Sequence, residues 1–147
     1  MQLKKFYFRI GGYGGNTYTL ELKAGKFVYT SFPDDTDAVY IDMGAPRIRF
    51  SKTGKITHVE ETLSYLESSN ATLTLDPEKL DHFLRYAKQH CRHWKKSYDT
   101  LTLDGIQWEV DIWTDQFRLK SDGSNDYPGN FESFTWRLTL LTGGKMF

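Results

Sequence analysis

The chain has one cysteine, no excess of either charge and no long apolar run. Cys91 stands alone, so no internal disulfide can form. The 19 basic and 19 acidic residues leave a formal charge of zero. No long-range field therefore draws in nucleic acid or an anionic membrane, and a strongly acidic nucleic-acid mimic is excluded as well. No stretch approaches the ~20 apolar residues of a membrane span. Lys4 and Lys5 precede a short apolar run, but Arg9 interrupts it, which is not the pattern of a signal peptide. The expected setting is cytoplasmic and reducing; a chain whose leader had been removed would read the same way. A length of 147 residues suits one domain, residues 1–147, with a proper core.

What is abundant is aromatic: 16% of the residues are Phe, Trp or Tyr. That favours a sheet with large cross-strand pairs and an exposed sticky face. The strongest local pattern is nevertheless helical. Asp76 is placed to cap a helix, Pro77 suits its first position, and Leu75 and Leu80 have the spacing of a hydrophobic staple. Apolar residues then recur at Leu80, Leu84, Ala87, Cys91, Trp94 and Tyr98 in steps of four and three, one stripe of a 3.6-residue helix. Acidic Asp76, Glu78 and Asp81 open the segment, and basic Arg92, Lys95 and Lys96 close it, as the helix dipole favours. The expectation is a long amphipathic helix over Asp76–Tyr98 at the centre of the fold.

Strands flank it. Phe6, Phe8 and Ile10 alternate with Tyr7 and Arg9, and Tyr18, Leu20 and Leu22 alternate again beyond a glycine-rich turn, a hairpin. A phosphate loop would lead into a helix and carry a lysine, and this one does neither. Phe27–Phe32 reads as a third strand, and Ala38–Met43 and Arg47–Ser51 as two more. The three aspartates at 34, 35 and 37 lack the glycine and the closing glutamate of a calcium loop. Ile56–Glu67 has helical spacing, with a strand through Val59 as the alternative. Ser68–Asn70 reads as a loop. Trp108, Val110 and Ile112 alternate with polar neighbours, Thr114-Asp115 turns, and Phe117 and Leu119 alternate with Arg118 and Lys120, a second hairpin. Phe131–Leu141 fits a helix through Phe131, Phe134, Leu138 and Leu141 and also a strand through Phe134, Trp136, Leu138 and Leu140. The fold class expected is α+β: an antiparallel sheet built from hairpins, packed against one long central amphipathic helix, with one or two shorter helices.

Four short motifs punctuate the second half: Leu75-Asp76-Pro77-Glu78, Trp94-Lys95-Lys96-Ser97-Tyr98, Asp104-Gly105-Ile106-Gln107-Trp108, and Gly123-Ser124-Asn125-Asp126-Tyr127-Pro128-Gly129-Asn130-Phe131. Together, over roughly 73–141, they resemble a small bacterial domain of unknown function. The resemblance implies a helix at Phe131–Leu141, although Thr135, Trp136 and Thr139 are poor helix formers. It implies no activity.

No catalytic set emerges. Cys91 lies on an apolar stripe, where burial raises a thiol's pKa, and His90 beside it points about 100° away. His90 and His93 are one turn apart and would hold zinc if a carboxylate joined them; a metal-dependent hydrolase is the alternative that pair suggests, but neither metal nor cofactor is expected. The basic helix end with Trp94 and Tyr98 suggests nucleic acid, yet the spacing turns both rings toward the core, away from a stacking role. The leading expectation is a non-enzymatic domain that binds another protein, as an inhibitor, immunity or accessory factor does. Trp113, Trp136, Tyr7 and Tyr13 are the aromatics expected at the surface. Asn125 and Tyr127 are candidates for a polar pocket with Ser124. Neither nucleic acid nor membrane is expected as a partner, and the oligomeric state is left open.

Overall fold

The computed structural model describes residues 1–12, 15–32, 38–41, 48–51, 56–59, 69–100 and 105–147. In chain order the elements are β1 (Leu3–Gly12), β2 (Gly15–Lys23), β3 (Lys26–Phe32), β4 (Ala38–Ile41), β5 (Ile48–Ser51), β6 (Ile56–Val59), β7 (Ser69–Leu73), α1 (Pro77–His90), β8 (Ser97–Asp99), β9 (Ile106–Thr114), β10 (Arg118–Ser124) and α2 (Phe131–Leu141). Tyr13, the aspartates at 34, 35 and 37, and the stretch 60–67 lie outside the described residues.

Alternation builds the main sheet. Phe6 and Phe8 are fully buried, while Lys5 and Arg9 are exposed, so β1 has one dry face and one wet face. The same period runs through β9, where Trp108, Val110 and Ile112 are buried. These two strands pair antiparallel from Leu3 opposite Thr114 to Gly12 opposite Ile106, and around them seven strands assemble in the order β7-β3-β2-β1-β9-β10-β8. All neighbours are antiparallel except β10 and β8, which run parallel. Strands β4, β5 and β6 form a separate three-stranded antiparallel sheet.

Both helices pack on the dry face. Phe83 of α1 meets Phe6 at 5.9 Å, and Phe134 of α2 meets Phe8 at 5.5 Å and Phe83 at 5.4 Å between ring centroids. The cap of α1 forms as expected: the Asp76 carboxylate accepts from the Glu78 amide at 2.9 Å. One turn further, Asp81 pairs with Arg85 at 2.8 Å.

The expectation of one long central helix is corrected. A mixed seven-stranded sheet is the central element, and α1 is a helix of 14 residues that ends at His90. Trp94 and Tyr98 still face the core, but from an irregular turn and from β8. The sheet edge captures this segment: Ser121 Oγ donates to the Lys95 carbonyl at 2.6 Å, and the Asp122 amide donates to the Lys96 carbonyl at 3.1 Å. Backbone groups that helix continuation would have paired internally are paired with β10 instead. For the same reason the sheet is not wholly antiparallel. Of the two alternatives at Ile56–Val59 the strand is the one found, and one smaller expectation changes: Ser69–Leu73, expected to begin as a loop, pairs with β3. Phe131–Leu141 is helical.

The motifs of the second half are joints. Gly123 lies under the Trp108 indole, where a Cβ would collide with the ring, and that indole donates to the Asp126 carbonyl at 2.9 Å. Asn130 occupies the cap position of α2, and its side chain makes no cap bond there. Its amide accepts from Trp94 Nε1 at 2.7 Å and donates to the His90 carbonyl at 2.9 Å, so it ties the end of α1 to the start of α2. Asn130→Ala leaves the half-buried indole N–H and a terminal helix carbonyl without these partners. A loss of about 1–3 kcal/mol in urea unfolding is expected; a loss below about 0.5 kcal/mol would show that the amide is not a joint.

Candidate functional site

Two surfaces carry the exposed tryptophans, Trp113 and Trp136, and they lie on opposite sides of the fold. The first is the wet face of the main sheet. Cross-strand register places Arg118 opposite Trp113, and Lys120 opposite Asp111. Trp113 is 42% exposed, with Lys4 Nζ 5.1 Å and the Arg118 guanidinium carbon 5.2 Å from its ring centroid. Beside it Asp111 is buried. Its carboxylate accepts from Lys5 Nζ at 2.8 Å, Arg118 Nε at 3.2 Å and Arg118 Nη2 at 3.1 Å. Burial alone would raise the Asp111 pKa; the hydrogen bonds and charges of Arg118 and Lys5 outweigh it and hold the carboxyl below its ordinary value. Tyr7 neighbours Asp111 across the strand pair, and its phenol is pushed up, first by burial and then by Glu109.

Toward the β8 edge of the sheet lies a cleft of about 380 Å³, whose lining includes Arg9, Asp99, Glu109, Asp122 and Ser124. Ser97 Oγ donates to Asp122 there at 2.8 Å.

The second surface is the outside of the helix layer. Phe134, Leu138 and Leu141 turn one side of α2 into the core. Trp136 and Leu140, one turn apart, are left 61% and 55% exposed. Between the helices runs a groove of about 480 Å³ lined by Lys79, His82, Phe83, Arg137, Leu140 and Leu141. Arg137 stacks over the Tyr86 ring at 4.1 Å, and Tyr86 Oη bonds Ser133 Oγ at 3.1 Å, which braces one end of that layer.

The other expected residues are placed singly. Asn125 has a left-handed backbone (φ 56°), and its side-chain Oδ1 accepts from the Ile106 amide at 2.9 Å, closing the end of the β9–β10 hairpin. Tyr127 packs on Phe131 at 5.0 Å with its edge exposed, and burial raises its phenol. Ser124 lines the cleft that Asn125 and Tyr127 do not. His90 stacks on Tyr86 at 5.1 Å, and His93 is exposed in the turn after α1. Among the described residues no group of three or more His, Cys, Asp or Glu side chains could hold a metal ion. No described helix is long and apolar enough to cross a membrane.

Leu140 and the cations around Trp113 were not singled out from the sequence, although their signals were present. Leu140 falls off the buried stripe of α2 by spacing alone, and a tight hairpin at Thr114-Asp115 brings Arg118 beside Trp113. No protein-family model, no curated protein and no solved structure matches the chain.

Two expectations follow from these environments. Cys91 is fully buried, and burial pushes its thiol up to about 12, so a thiol reagent should label it only through unfolding. Labelling that stays fast where the fold is fully stable would contradict this. Asp111→Asn should cost about 1–3 kcal/mol near neutral pH, since Arg118 and Lys5 lose a carboxylate. A depressed folded-state pKa contributes stability above the unfolded value that is lost as pH falls through the folded one. The difference between wild type and variant should therefore shrink only on the acid side of the ordinary carboxylate range, read by urea unfolding at a series of pH values.

Proposed function

We propose that this domain is a non-enzymatic binder of another protein, engaged through its helix layer. The observation that carries the reading is the exposed pair Trp136 and Leu140 on one stripe of α2, beside an apolar groove. Large aromatic side chains at the centre of an interface supply most of its binding energy, and a neighbouring pocket lets the partner insert an anchor in return. Arg137, stacked on Tyr86, gives the groove a wall that needs little further ordering on binding. A partner that buries an aliphatic or aromatic residue between the helices fits this chemistry. Inhibitor, immunity and accessory roles all use such a surface without chemistry of their own. The lone buried thiol of Cys91 suits a cytoplasmic setting.

The test compares wild type with Trp136→Ala and Leu140→Ala in capture from nuclease-treated host lysate at physiological salt. One stoichiometric protein is expected with wild type, held at least about tenfold more weakly by each variant, with thermal midpoints unchanged because both side chains are exposed. A partner retained equally by both variants would remove the helix layer from the interface.

A further inference from the structure

The wet face of the sheet carries a second surface, independent of the helix layer. A single aromatic on a sheet face is ordinary. Trp113 differs because its neighbours are fixed in advance. A carboxylate taken out of water must be paired, and Asp111 is paired twice, with Lys5 and with both Nε and Nη2 of Arg118. Held that way, the Arg118 guanidinium lies 5.2 Å from the Trp113 ring, and Lys4 adds a second cation at 5.1 Å. Both contacts restrain the ring before any partner arrives, which lowers the ordering cost of binding.

The charge around the ring is unbalanced. Lys4, Lys5, Arg118 and Lys120 surround Trp113 and Asp111, and Asp111 is buried beneath them. Lys120 makes no ion pair or side-chain hydrogen bond among the described residues. The patch is also short. Glu109 and Asp122, opposite one another in the next same-face position, bound it with negative charge. A nucleic-acid backbone presents a track of phosphates and needs a longer cationic stripe than this. A few carboxylates beside one apolar side chain match both the size and the sign of the patch.

We propose that the Trp113 platform binds an acidic segment of a partner protein. The Trp113 ring takes an apolar side chain, while Lys4, Lys120 and the outer edge of Arg118 take carboxylates in charge-assisted hydrogen bonds.

The test is selection of a random peptide display library on the full-length folded protein, with affinities of enriched peptides then measured by fluorescence anisotropy. Enriched peptides are expected to carry Asp or Glu next to an aromatic or aliphatic residue. They should bind Trp113→Ala and Lys4→Glu/Lys120→Glu at least about tenfold more weakly, weaken as salt rises, and bind Trp136→Ala as they bind wild type. Enrichment of peptides without acidic residues, no enrichment at all, or affinities unchanged in both Trp113-face variants would overturn the proposal. So would tighter binding of a poly-dT oligonucleotide than of any enriched peptide. Should Trp113→Ala lower the thermal midpoint, the lysine variant decides, because both lysines are exposed. Trp136→Ala is read in parallel, so failure here leaves the helix-layer surface standing, and the reverse holds.

Discussion

The Asn130 side chain holds the end of one helix, the start of the other and a tryptophan between them. Its bonds to Trp94, His90 and the Cys91 sulfur join residues 36 to 40 apart in the chain. With His90 and Asn130 joined, Trp94 is fixed between Trp108 at 5.8 Å, Phe131 at 6.0 Å and Phe134 at 5.1 Å. Phe131 in turn lies 4.8 Å from Trp108, so α2 is locked in rotation about its own axis. That rotation is what leaves Trp136 and Leu140 outside. A helix that is apolar on several sides has no strong preference for which side to bury; here the aromatic contacts at its first turn decide.

The same cluster explains why the chain leaves the helix after His90. Trp94 must reach Asn130, and the residues after it find backbone partners on β10. A parallel strand of three residues is a weak element alone. It persists because Tyr98 packs on Trp108 at 5.9 Å and its hydroxyl accepts from the Lys95 amide at 2.9 Å. The helix layer and the sheet edge are therefore coupled through one group of rings, while the wet face around Trp113 is held by a separate device, the buried Asp111 with its two cations.

Much of the fold was legible locally. The hairpins at both ends, the capped start of α1 and the two registers of alternation in β9 and β10 all rest on contacts between residues close in sequence, and periodicity reports those directly. The exposure of Trp113 and Trp136 was legible because each falls opposite a buried stripe, a property of spacing. Asn125 closes the hairpin through its left-handed backbone and its side-chain bond to Ile106, and only the position of Gly105 beside it shows that.

The sequence by itself determined which residues are apolar on which face, where α1 begins and that no charge surplus directs the whole protein to nucleic acid. Tertiary structure alone decided that β1 lies at the middle of a mixed sheet, that α1 stops at His90 and that Arg118 and Lys4 flank Trp113. The physical reason is range. Periodicity and capping are set within a turn or two of the chain. The capture of residues 97–99 by β10, and the pairing of β1 with β9 about a hundred residues away, depend on backbone partners that no local pattern can name.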